Sequence, residues 1–214
     1  MEGKIMDQGP FVITISHQIG SGGSYIGKKL AERLSVPFID RQILKWVADQ
    51  LHVSEATLEG REERVSSFWD SFAHLALLTD PMESFTRVPY MPTDHDMFDL
   101  ESEYIAKIAQ NSSAVILGRC GRYVLRDHQH RFSLLTVAPI ADRVQRTMKQ
   151  QNLGQPEAER FVENNDRERA TYLQTFTKQN WLEAQLYDLC VNTSTFGLDA
   201  AVDLVLAQVT AKPA

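Results

Sequence analysis

Cysteine is scarce in this chain: two residues, Cys120 and Cys190, among 214. Neither sits in a metal-ligand spacing, so a structural zinc site is not expected, and a disulfide ranks well behind buried thiols. Both are expected to be buried, reduced thiols. Positive charge is short as well. Lys and Arg number 22 against 28 Asp and Glu, which leaves a net charge of −6. An extended nucleic-acid backbone is therefore not an expected partner, because such surfaces are basic. A small phosphorylated ligand needs only a local cationic pocket and stays open. No apolar run approaches the length of a membrane span, and the opening MEGKIMDQGP lacks the apolar core of a signal peptide. These absences predict a cytoplasmic protein with no membrane partner. Internal repeats and low-complexity blocks are absent too, so 43% apolar residues point to one main core.

What is present begins at residues 15–34, ISHQIGSGGSYIGKKLAERL. The run before it, Phe11 to Ile15, is apolar and β-branched, as a buried strand requires. After it Ile26, Leu30 and Leu34 recur at helical spacing. The glycines thus fall between a strand and a helix, where unpaired N–H groups and the helix dipole favour an anion.

The same strand-then-helix alternation continues. Residues 36–40 read as a very short strand and 41–51 as a helix. Ser54 is a helix-cap candidate and Gly60 a breaker, before an aromatic helical stripe over 61–79 that includes Phe68, Trp69 and Phe72. Residues 80–96 read as a proline-bearing loop and 97–110 as a helix. Then come a strand at 114–117, a helix at 121–127, a strand at 132–137 and a basic helix at 141–151. A long polar helix from 156 into the 170s, a strand at 189–192 and a closing helix at 198–209 complete the pattern. About five such alternations, with strands apolar on both faces, describe a parallel sheet covered on both sides. Ligands of such sheets bind at the carboxyl ends of the strands. The glycine turn, Asp40-Arg41 and Gly118-Arg119 all follow strands and are expected to cluster there.

The glycine turn admits three readings. Against the phosphate-loop pattern G-x-x-x-x-G-K-[ST], Gly22 matches the second glycine and Ser24 the magnesium-binding hydroxyl. His17 and Gly23 stand where the first glycine and the lysine belong. A dinucleotide site is the second reading, since Gly20, Gly22 and Gly27 approximate its fingerprint and Asp40 lies twenty residues after Gly20. The third is a plain tight turn whose glycines permit positive φ. Three glycines in four residues favour anion binding.

The runs ITISHQIGSGGSYIGKKLAERLSVPFIDRQIL, VILGRCGRYVLRD, DRERATY and YDLCVNTSTFGLDAAVDLV, in this order, resemble the cytidylate kinase-like family, relatives of nucleoside monophosphate kinases. The resemblance spans nearly the whole chain. It implies a P-loop NTPase-like, three-layer α/β/α fold with a five-stranded parallel sheet. A polar tail at 1–10 would precede a single kinase-like domain at 11–214. Within it, about 41–110 would carry a helical acceptor-binding insertion and about 143–180 an arginine-bearing lid. The implied activity is transfer of the ATP γ-phosphoryl group to a nucleoside monophosphate or similar small acceptor, with Mg2+ as cofactor. A catalytically weak nucleotide-binding protein on the same fold is the alternative, and a dinucleotide-binding oxidoreductase a second one.

This chain departs from the family pattern, which usually has arginine at the positions of His17 and Ser24. It shares Gly23 with the family, where a true cytidylate kinase has lysine. Removing one preorganised donor typically costs about 3–4 kcal/mol of transition-state stabilisation, so arginines must substitute. The candidates are Arg41, Arg119, Arg143, Arg146, Arg167 and Arg169. Arg119 follows a central strand, and Cys120 replaces the aspartate of true cytidylate kinases. Asp166 and Arg169, three apart on one helical face, match a D-x-x-R pattern that contacts the monophosphate in those kinases. The expected phosphate-binding set is therefore His17, Gly20, Ser21, Gly22, Gly23 and Ser24, with Ser24 on magnesium. The expected acceptor set is Asp40, Arg41, Arg119, Asp166 and Arg169. Arg119, Arg167 and Arg169 are the expected catalytic cations. A protonated His17 would replace part of the lost arginine and make binding pH-sensitive. The Asp94-His95-Asp96 cluster with Asp99 reads as an acidic loop leading into a helix cap before it reads as a metal site. Whether the chain is a monomer or a homodimer is open.

Overall fold

The computed structural model describes residues 9–40 and 94–210. Arg41, the 41–51 helix, Ser54, Gly60, the 61–79 stripe and most of the 80–96 loop lie outside the described residues. Five strands, β1 (Val12–His17), β2 (Phe38–Ile39), β3 (Ala114–Leu117), β4 (Arg131–Val137) and β5 (Leu189–Asn192), form one sheet in the order β2-β3-β1-β4-β5. Every pairing is parallel, with Val12 opposite Ala114 on one side and Arg131 on the other. The dinucleotide reading fails on this order: the dinucleotide-binding sheet places β2 beside β1, whereas here β3 lies between them.

Alternation along the strands sends successive side chains to opposite faces. Ile13 and Ile15 of β1, with Val115 and Leu117 of β3, meet α1 (Gly23–Leu34) and the last helix. That helix follows three others that close strand crossovers: α3 (Gly121–Val124), α4 (Ile140–Gln151) and α5 (Gln155–Thr177). After β5 come the short α6 (Thr193–Phe196) and then α7 (Leu198–Thr210), which buries Ala201, Val202, Val205 and Val209 against the sheet. Val12, Ala114 and Ile116 point the other way, to Met97, Ile105 and Ala109 of α2 (Asp94–Asn111). The result is three layers, with both sheet faces dry.

Several boundaries differ from expectation. Helix α2 includes residues 94–96, ahead of the expected 97, and Asp94 and Asp96 in its first turn complement the positive end of the dipole. Strand β1 runs on to His17 by pairing with Thr136 of β4, so His17 is a strand end and not a turn residue. Of the two cysteines, Cys120 is buried as expected, but Cys190 is exposed. It lies on β5, at the edge of the sheet, where among the described residues no further strand covers it. Among the described residues no helix is long and apolar enough to cross a membrane.

Candidate active site at the strand ends

The segment between His17 and α1 closes tightly because Gly20 and Gly22 take positive φ, 76° and 89°. A side chain at Gly20 would also have no room: its Cβ would lie 2.5 Å from the Arg143 carbonyl oxygen, so α4 packs directly on the turn. Ser21 is fully buried and its hydroxyl shares a 2.8 Å hydrogen bond with Thr136. Its N–H donates to the Gln18 carbonyl, so Ser21 shapes the loop from within. The N–H groups of Gly20, Gly22, Gly23, Ser24 and Tyr25 have no acceptor among the described residues. Five outward donors at a helix start make an anion cradle.

Two pockets flank this loop. One is lined by Gly20, Gly22, Gly23, Tyr25, Thr147 and Phe161. The other is lined by Asp40, Gly118, Arg119, Arg169, Tyr172 and Trp181. His17 and Ser24 line both and form the boundary between them. A group held in one pocket and a group held in the other would therefore meet at His17 and Ser24.

His17 is not the cation expected of it. Burial, and then the nearby Arg169 guanidinium, hold its pKa well below 6.5. Its Nδ1 is buried without a partner among the described residues. The physical reason is its place at the end of a central strand, half-buried between the two pockets and beside Arg169. Its Cβ and ring also fill the space over Gly23. A Cβ at position 23 would come within 2.4 Å of the His17 Cβ and 2.7 Å of its Cγ. The loop thus lacks its lysine for a steric reason: His17 and a side chain at 23 exclude each other.

The neutral imidazole has a consequence for stability. Unfolded, His17 takes up a proton as pH falls through about 6.5; folded, it does not until lower pH. The unfolded state binds more protons in that window, so stability is full above 6.5 and falls below it, by up to about 1.4 kcal/mol per pH unit. His17→Gln is expected to flatten the part of the curve below about pH 6.5, read by urea unfolding on either side of that pH.

Across the cleft, β3 ends in an unusual turn. Gly118, Arg119 and Cys120 all have positive φ, 69°, 53° and 51°. Two successive non-glycine residues in the left-handed region cost about 1–2 kcal/mol each, strain of the kind found at functional sites. What holds them is a buried network. Arg119 pairs with Glu101 at 3.0 Å, with side chains only 10% and 2% exposed. The Tyr172 hydroxyl donates to the other Glu101 oxygen at 3.3 Å. Burial, with Glu101 second, pushes the Tyr172 hydroxyl well above 10 and the Cys120 thiol up to about 12, so both stay protonated.

The remaining expected residues are distributed unevenly. Asp40 and Arg169 come to the same pocket as Arg119, and Arg169 also donates to the His17 carbonyl. Asp166 lines neither pocket. Its carboxylate accepts the Ile19 N–H at 3.3 Å and the Arg143 guanidinium at 2.5 Å, behind the loop. Arg167 is exposed on α5 and lines neither pocket. His95 packs edge-on against Phe176, and no group of three or more metal-ligating side chains is present among the described residues. Sequence reasoning missed Glu101, Tyr172, Trp181 and Thr193. For Glu101 a signal exists: it falls four residues from both Met97 and Ile105, on the buried stripe of α2.

The model of the cytidylate kinase-like family matches residues 12–195. Among solved structures, an uncharacterized protein from Eubacterium ventriosum ATCC 27560 is 21% identical and superposes with a TM-score of 0.69. That match covers 94% of this chain and 98% of that one. A gluconokinase from Sinorhizobium meliloti 1021 is 14% identical, with a TM-score of 0.51 over 94% of this chain and 91% of that one. Both show a shared fold. No curated protein matches in sequence.

Proposed function

The chain belongs to the cytidylate kinase-like family, and from that premise we propose that it transfers the γ-phosphoryl group of ATP to a nucleoside monophosphate or a similar small acceptor. The observation that carries this reading is the pair of pockets meeting at His17 and Ser24. One offers backbone amides to a polyphosphate; the other offers two arginines and a carboxylate to an acceptor. The acceptor oxygen attacks the γ-phosphorus in line. The bond to the β,γ-bridging oxygen breaks, and its electron pair leaves with ADP. Phosphoryl transfer asks mainly for positioning and charge neutralisation. Here the loop amides hold the donor, Arg119 and Arg169 neutralise the acceptor side, and Asp40 orients the acceptor.

The protein oxygens suit Mg2+. It takes few protein ligands and keeps phosphate and water oxygens, and Ser24 is an exposed hydroxyl at the boundary with Asp40 in the adjoining pocket. Ser24 would hold the ion, which supplies charge neutralisation to the phosphates when bound. Residues 11–214 would form one kinase-like domain, with about 41–110 as the acceptor-binding insertion and about 143–180 as the lid. Cytoplasmic location belongs to the same reading.

A second reading, nucleotide binding with little or no transfer, is favoured by one observation. Arg119 and Arg143 are already paired, with Glu101 and Asp166. Incubation with γ-labelled ATP, Mg2+ and a panel of monophosphates that includes CMP separates the two. Labelled product from one monophosphate is the expected result. Binding of a nonhydrolysable ATP analogue with no labelled product from any of them would leave the second reading standing instead.

A further inference from the structure

We propose that Arg146 supplies the positive charge of the missing loop lysine, acting by its field on the loop amides from the side opposite the ligand. This rests on reading the loop as a phosphate site. The loop carbonyls are all taken from behind. Ile19 O accepts from Arg143 at 3.3 Å, Gly20 O from Arg146 at 3.2 Å, and Ser21 O from the Thr193 hydroxyl at 2.7 Å. A planar trans peptide points its N–H opposite to its C=O. Fixing the carbonyls of residues 19 and 21 toward α4 and Thr193 therefore turns the N–H groups of Gly20 and Gly22 toward the cleft. The Ile19 side chain packs against Val144, Ala158 and Val162, which ties the same loop to the α4–α5 hairpin.

Orientation is shared among these partners, but charge is not. Arg143 is neutralised by Asp166 at 2.5 Å, and Arg119 by Glu101 at 3.0 Å. Arg146 bonds only uncharged oxygens: Gly20 O, the Thr193 hydroxyl at 2.8 Å, Thr193 O and the Ser194 hydroxyl at 3.4 Å. It pairs with no carboxylate among the described residues. Its charge is part-buried, and so weakly screened by salt, and it stands one peptide away from the cradle. The peptide it touches gives its N–H, that of Ser21, to the Gln18 carbonyl, so what Arg146 lends the cradle is its field and not a further donor. Arg146 lines neither pocket, so it is a positioning residue that lends its field to the amides.

Calorimetric titration with inorganic tripolyphosphate tests this on the full chain. Arg146→Gln removes the charge and, being shorter, the contact with Gly20 O, and is expected to weaken binding about tenfold. Arg146→Lys keeps the charge but cannot span Gly20 and Thr193 together, and is expected to stay within about threefold of wild type. A purely bracing role, which needs that two-point contact, gives equal losses in the two. Should Arg146→Gln not fold, Ser194→Asp neutralises the same guanidinium in place and is expected to weaken tripolyphosphate by a similar factor, about tenfold. Wild-type affinity in the folded neutralised variants, or equal losses in Arg146→Gln and Arg146→Lys, overturns the proposal. Failure of the wild-type protein to bind tripolyphosphate overturns the phosphate-site reading itself, and this proposal with it.

Discussion

Gly23→Lys alone is expected to destabilise the protein by about 1–3 kcal/mol, the usual cost of forcing atoms into a packed site. Adding His17→Gly to the same chain is expected to restore most of that loss. The new Cβ would stand 2.4 Å from the root of the His17 side chain, which cannot swing aside as a flexible tip would. The double variant reads GQIGSGKS over residues 17–24 and completes the G-x-x-x-x-G-K-[ST] pattern. Its lysine would reach the outer phosphates, and tripolyphosphate affinity should rise above wild type by about tenfold or more. Thermal melting of both single variants and the double gives the coupling between positions 17 and 23. A Gly23→Lys protein as stable as wild type would remove the steric explanation for the missing lysine.

Arg119→Ala is expected to act twice. Transfer should fall by about 10²–10³, the loss of one preorganised cation at the acceptor. Stability should fall by about 3–5 kcal/mol, because Glu101 would lose the guanidinium that offsets its buried charge; its side chain is only 2% exposed. The two effects separate in a second variant. Glu101→Gln added to Arg119→Ala removes the stranded charge while keeping an acceptor for the Tyr172 hydroxyl. Most of the stability should return, and none of the transfer. Urea unfolding and the labelled-product assay on the same preparations read both. Recovery of transfer along with stability would show that Arg119 serves the fold and not the reaction.

These residues also show where the sequence was readable. Strands β1, β3 and β4 stood out because each is a short apolar run that both faces of a parallel sheet bury. The glycine turn stood out because its residues sit between a strand pattern and a helix pattern. His17 was misjudged because its environment is set by β4, which pairs with it more than a hundred residues along the chain. Arg143 and Arg146 looked like surface cations or ligand contacts, since nothing local marks a guanidinium whose partners are the backbone carbonyls of residues 19 and 20. Asp166 and Arg169 do share one face of α5, as their spacing requires, yet that face meets two sites. The carboxylate reaches the back of the loop and the guanidinium reaches the pocket. Helical spacing fixes a face, and only the packed neighbours decide what the face meets.

The central claim is that a loop without lysine still binds polyphosphate through its amides, with the acceptor arginines on the far side of His17. Calorimetric titration of wild type and Arg119→Ala with a nonhydrolysable ATP analogue and Mg2+ tests it most directly. The account predicts binding to both proteins with affinities within about threefold, because Arg119 lines the acceptor pocket and not the loop pocket. Absence of binding to the wild-type protein would contradict it and leave residues 17–24 as a structural turn.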